Sequence, residues 1–142
     1  MSRTIVVGVD GSSSADAAVD RAIELARGLG DRVALVFAAE TPVRSVGDEW
    51  RESQEALAEM GSELLASAAR RAERAGVEVE TVFVPARPVE GLLEVARERD
   101  ARMIVVGTAS ERPLTGLILG SVPHKLLHRS SVPVLVVPLP DA

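Results

Sequence analysis

The chain has no cysteine and no tyrosine, and its aromatic side chains are confined to Phe37, Phe83 and Trp50. Without cysteine there is no disulfide, no thiolate metal site and no cysteine nucleophile. With so few aromatics the core must be aliphatic, and the stacking platforms used by binders of single-stranded nucleic acid are missing. Positive charge is short as well. The formal net charge is −5, the opposite of the basic face that a phosphate backbone demands, so DNA and RNA are not expected partners. No apolar run approaches the roughly eighteen residues of a membrane helix, and no membrane association is expected. Met1-Ser2-Arg3-Thr4 leads directly into an apolar strand with no cationic and hydrophobic leader, so the expected location is the cytoplasm. Fifteen arginines stand beside a single lysine, Lys125, a ratio to which no function is attached.

What is present is ordinary globular composition, 46% hydrophobic and 26% charged over 142 residues. That length fits one domain, 1–142, large enough to bury its own core. Ile5-Val6-Val7-Gly8-Val9 is an unbroken apolar run ending at Asp10-Gly11-Ser12, the pattern of a strand buried on both faces. A helix follows, with Ser13 and Asp16 spaced as a capping box and Ala18, Ala22, Leu25, Ala26 and Leu29 at helical spacing up to Gly30. Val33 to Phe37 reads as the second strand. After a polar connection from Glu40 to Asp48, Leu57, Met60, Leu64, Leu65, Ala68 and Ala72 mark a long amphipathic helix that stops near Gly76.

In Val77 to Val84, Val77, Val79 and Thr81 alternate with Glu78 and Glu80, and the segment reads as an edge strand with one wetter face. Pro88 opens a helix carrying Val89, Leu92, Leu93 and Ala96. Met103 to Val106 is the fourth strand, residues 120–130 a further helix, and Val134 to Val137 the fifth strand. Five strands alternating with four helices predict a doubly wound α/β domain with a parallel sheet, for which 3-2-1-4-5 is the simplest strand order. In such a sheet ligands sit beyond the carboxyl ends of the strands, where the order reverses. Strands one and four flank that reversal, which brings Asp10 opposite Gly107.

The segment after strand four is the most informative in the chain. Gly107-Thr108-Ala109-Ser110 follows the strand directly, and Gly120-Ser121-Val122 comes thirteen residues after Gly107 at the start of the last helix. Glycines let backbone amides approach a ligand, and the first turn of a helix offers unpaired N–H groups and the positive end of its dipole. Phosphate is the chemistry that suits such a loop.

Val7-Gly8-Val9-Asp10-Gly11-Ser12, Gly107-Thr108-Ala109-Ser110, Gly120-Ser121-Val122 and Val132-Pro133-Val134-Leu135-Val136-Val137, in this order, resemble the universal stress protein family over the whole chain. The resemblance implies an α/β domain of the adenine nucleotide alpha hydrolase-like and flavodoxin-like kind, a cytoplasmic homodimer, and, in one branch, binding of ATP or AMP, with Mg²⁺ as a companion of the phosphates. That branch carries G-x2-G-x9-G-[ST]. Carried onto this chain, the first glycine is Gly107, the last Gly120, and the hydroxyl is that of Ser121, with Val122 following it. Asp10 corresponds to the family aspartate at the nucleoside end, Ala38 lies in the segment that lines the adenine slot, and Thr108 stands at the lip of the loop. The middle glycine is replaced by Ser110, where a side chain costs about 1 kcal/mol or more if the backbone needs positive φ. Glu111 brings a carboxylate beside it, and Arg112 a compensating cation.

Simpler roles stand beside these. Asp10 is also a suitable turn residue for the Gly11-Ser12 bend, Gly107 and Gly120 suit tight turns, and Ser121 suits an N-cap. His124 and His128 share a helix face but have no evident third metal ligand, and no P-loop lysine precedes Lys125. Val134 to Val137, apolar and at an edge, is expected to pair with its counterpart in a homodimer. Three functions follow in order of support: an adenine-nucleotide-binding stress-response module, a dimeric interaction protein of the same fold without the pocket, and a slow ATP hydrolase or self-phosphorylating protein.

Overall fold

The strands at the centre of the sheet are apolar on both faces because both faces are covered. In the computed structural model, which describes residues 2–40, 48–108 and 120–139, the elements run β1 Thr4–Gly8, α1 Ser13–Leu29, β2 Arg32–Ala38, α2 Asp48–Arg74, β3 Val79–Val84, α3 Pro88–Glu98, β4 Met103–Gly107, α4 Ser121–Arg129 and β5 Val134–Val137. All four strand pairings are parallel and the order is β3-β2-β1-β4-β5, as the alternation of elements predicts.

Side chains alternate across the sheet and divide the core in two. Ile5, Val7, Val33, Leu35, Phe37 and Val105 pack with Ala18, Ala22 and Ala26 of α1 and Leu65, Ala68 and Ala72 of α2. Val6, Ala34, Val36, Ile104 and Val106 point the other way, onto Val89, Leu92, Val95 and Ala96 of α3 and Leu126 of α4. Two helices on each face therefore close the three-layer domain. Glycine allows two of these helices to lie close to the sheet. A Cβ added at Gly61 would stand 2.6 Å from the Phe37 ring, and one at Gly91 would stand 2.8 Å from the Ala38 Cβ.

Several local details differ from expectation. The N-cap of α1 is Ser12 rather than Ser13: Ser12 has extended backbone (φ −75°, ψ 157°) and its hydroxyl accepts from the Ala15 amide at 3.1 Å, while Ser13 is already helical. Asp16 does not complete a capping box and instead faces Arg71, 3.6 Å away. Helix α2 starts at Asp48, well before its apolar stripe, and β3 begins at Val79 rather than Val77. At the amino-terminal end of the sheet, the buried Asp31 carboxylate accepts from the Arg3 amide at 2.9 Å and pairs with the Arg102 guanidinium. The Arg102 hydrogen bond is the main influence lowering the pKa of Asp31, against the upward pull of desolvation. This ties the starts of β1, β2 and β4 together at the end of the sheet opposite the cleft described below.

Candidate functional site

At the carboxyl ends of β1 and β4 the chain leaves the sheet in opposite directions, α1 toward one face and α4 toward the other. The space between them is a cleft of about 160 Å³. Its floor is Gly8 and Val9 from the end of β1, Val106 and Gly107 from β4, and Val36 and Ala38 from β2. Its walls are Ser14 and Ala15 in the first turn of α1, Pro88 and, one turn on, Leu92 of α3, and Gly120 to Pro123 at the start of α4. Three helix N-termini thus converge on one opening, each presenting the positive end of its dipole.

Asp10 lines the cleft and is exposed. Its carboxylate accepts the Ser12 amide at 2.8 Å, and Gly11 takes φ +85° to complete the turn. The turn-forming role foreseen for Asp10 is therefore real, and it fixes the carboxylate at the rim. Gly107 is required for a different reason. It does not have positive φ, but a Cβ there would lie 2.5 Å from the carbonyl carbon and hydroxyl oxygen of Ser14. The glycine lets the end of β4 press against the first turn of α1. Gly120 is the N-cap of α4 with φ −59°, an ordinary conformation. Its amide donates to the Thr108 carbonyl at 2.8 Å, and the Thr108 amide donates to Val137 at 3.1 Å. These bonds bring the residues on either side of 109–119 together and tie them to β5.

Of the residues singled out in the sequence, Asp10, Ala38, Gly107, Gly120, Ser121 and Val122 line this one cleft. Thr108, expected at the lip of the loop, is not among the lining residues; its backbone is bonded to Gly120 and Val137. Ser110, with Glu111 and Arg112, lies outside the described residues. The cleft also includes Ser14, Leu92 and Pro123, which the motif does not contain. Their positions in first turns or on the inner face of α3 were the only available signal. The described lining contains no lysine or arginine, and Asp10 is its single ionisable side chain. His124 and His128 are exposed on the outer face of α4 with ring centroids 4.8 Å apart. Among the described residues, no group of three potential ligands could hold a metal ion.

Fold and cleft define a doubly wound α/β domain with an open cleft at its topological switch point, the place where such sheets bind ligands. The model of the universal stress protein family matches residues 1–138, and the chain belongs to that family. The universal stress protein Rv1636 of Mycobacterium tuberculosis is 33% identical, with 95% of each chain covered. Among solved structures, a universal stress protein in complex with cAMP is 33% identical with a TM-score of 0.74, covering 97% of this chain and 98% of its own. A universal stress protein from Archaeoglobus fulgidus in complex with dAMP is 26% identical with a TM-score of 0.69, covering 95% and 97%. No helix among the described residues is long and apolar enough to cross a membrane.

Proposed function

We propose that this chain is an adenine-nucleotide-binding module that acts in the stress response, as a cytoplasmic homodimer. The observation that carries the reading is the cleft itself. Apolar side chains from β2, α3 and β4 stand beside the first turn of α4, so a flat, weakly polar base and an anionic phosphate each have a complementary surface. Two similar proteins of known structure are described with cAMP and dAMP bound, which supports the same ligand class here. In this reading Ser121 and Val122 donate to phosphate, Gly107 holds β4 close to α1, Ala38 borders the base, and Asp10 accepts from the sugar or base. Thr108 and Ser110 belong to the loop that leaves from and returns to this point. ATP with Mg²⁺ is the larger ligand of the same class.

The dimer is proposed across β5. That strand is at the sheet edge, Leu135 is 37% exposed and Leu139 48% exposed, and a second copy related by a two-fold axis would cover them.

A competing reading, a dimeric interaction protein of this fold that binds no nucleotide, draws its support from Ser110 and Glu111, which stand where the nucleotide-binding motif has its middle glycine and the residue after it. Thermal shift and isothermal titration with AMP and ATP separate the two. Nucleotide well above its Kd must raise Tm if it binds the folded chain alone. An unchanged Tm at millimolar nucleotide supports the competing reading.

A further inference from the structure

The free edge of β5 has a definite hydrogen-bonding parity. The Ile104 amide donates to the Pro133 carbonyl at 2.9 Å, and the Thr108 amide donates to the Val137 carbonyl at 3.1 Å. Between these bonds β5 runs parallel to β4, with Ile104 beside Val134 and Gly107 beside Val137. In a strand the N–H and C=O of one residue leave on the same side, and those of the next residue leave on the other. Residues 133, 135 and 137 therefore serve β4, while Val134 and Val136 present their polar groups outward. Among the described residues, nothing takes up these two donors and two acceptors. Pro138, at the next outward position, has no N–H to give.

Exposed leucines flank this edge on both faces. Leu135 is 37% exposed and lies beside Ala17 and Arg21 of α1. On the opposite face, Arg129 of α4 reaches Glu90 of α3 at 2.9 Å. Leu127 stands two residues earlier, about 200° round the helix, so it turns away from α3 and toward the outer side of β5. It is 52% exposed.

We propose that a second copy of the chain docks antiparallel on this edge in one register, with Leu135 on the two-fold axis opposite its own counterpart. The proposal rests on the dimer across β5 and names the contacts that form it. Two such strands keep like faces together only when even residues meet even and odd meet odd, so one residue must meet itself. Centred on Leu135, Val134 of each copy exchanges both N–H···O bonds with Val136 of the other, and every outward group of the two valines is used. Centred on Val136, Val134 falls opposite Pro138, which returns no donor. Centred on Val134, Val136 falls opposite Val132, whose amide already donates to the Ser130 hydroxyl at 3.1 Å. The Leu135 register also places the two leucines in a non-hydrogen-bonded pair, where Cα atoms approach to about 4.5 Å and side chains are closest. Across the other face, the Leu127 side chains of the two α4 helices turn toward each other.

The chain has no cysteine, so a single introduced cysteine can cross-link only with its own counterpart. Leu135→Cys, Val134→Cys and Val136→Cys, oxidised mildly at dimer-forming concentration and read on non-reducing gels, test the register. Residue 135 meets itself within disulfide reach, whereas 134 and 136 stand diagonally from their counterparts at about 7–8 Å, beyond it. Leu135→Cys is expected to cross-link at least about tenfold faster than either valine variant. The wild type supplies a second readout. In the dimer the Val134 and Val136 amides are expected to be as protected from hydrogen exchange as those of Leu135 and Val137, which β4 holds. Faster cross-linking at 134 or 136 overturns the register and leaves the β5 dimer standing. A wild type that is monomeric at micromolar concentration overturns the dimer itself. A dimer with no cross-link at any of the three and unprotected Val134 and Val136 amides overturns both, because the copies then meet elsewhere.

Discussion

Gly107 and Ser14 touch so closely that a Cβ on the glycine would lie 2.5 Å from the serine's carbonyl carbon and hydroxyl oxygen. The contact joins the end of β4 to the first turn of α1 across the point where the sheet reverses its winding. It makes Gly107 a packing residue as much as a loop residue. Gly107→Ala must displace backbone rather than a flexible side chain, and is expected to destabilise the domain by about 1–3 kcal/mol. Chemical denaturation measures this directly, and an unchanged midpoint would show that the two elements separate easily.

The N-cap of α1 provides a second test. Ser12→Ala removes the hydroxyl that accepts from Ala15 and should cost about 1 kcal/mol. Ser13→Ala, one residue later and already inside the helix, should change stability by less than half of that. Equal effects would contradict the assignment of the cap.

Much of the fold was legible because burial leaves a simple imprint. The runs Ile5 to Val7 and Val33 to Phe37 are apolar without interruption because alternate side chains enter two different cores. Pro88 opens α3 because its missing N–H has no intrahelical partner at a first position. What was not legible follows from the same logic. Arg51 to Ala56 are all exposed, so the first turns of α2 carry no apolar stripe by which they could be recognised. Three serines in a row gave no local reason to prefer Ser12 as the cap. At the site, strand order anticipated that Asp10 would stand opposite Gly107, while Ala38 and Ser121 came from the family resemblance. The close approaches at Gly61, Gly91 and Gly107 depend on distances between layers, which the sequence does not display.

Asp31 links stability to pH. Arg102, first, and the Arg3 amide hold its carboxyl below the ordinary value of 3.8, while burial opposes them. The unfolded chain therefore takes up the proton before the folded one as pH falls. The stabilisation is complete above the unfolded pKa, declines as pH drops below it, and is lost once pH passes the folded pKa. Asp31→Asn is expected to lower Tm at neutral pH and to reduce the difference from wild type below pH 4, roughly the carboxylate range. Melting curves from neutral to acid pH would record this. A constant difference across that range would count against the assignment.

Leu135 sits on the edge strand that the proposed dimer covers. Leu135→Asp places a charge where two copies would meet and should convert a dimer to a monomer while leaving the monomer's fold intact. Sedimentation equilibrium on both proteins at micromolar concentration tests this. A wild type that is already monomeric would refute the β5 interface.

The central claim is that the cleft between α1 and α4 holds the phosphate of an adenine nucleotide. Amide chemical shifts of the labelled protein during titration with AMP test it residue by residue. The account predicts saturable shifts at Ser121, Val122 and Gly107, with neighbouring changes at Asp10 and Ala38. Saturable shifts confined to another face, or none at millimolar AMP, would contradict it.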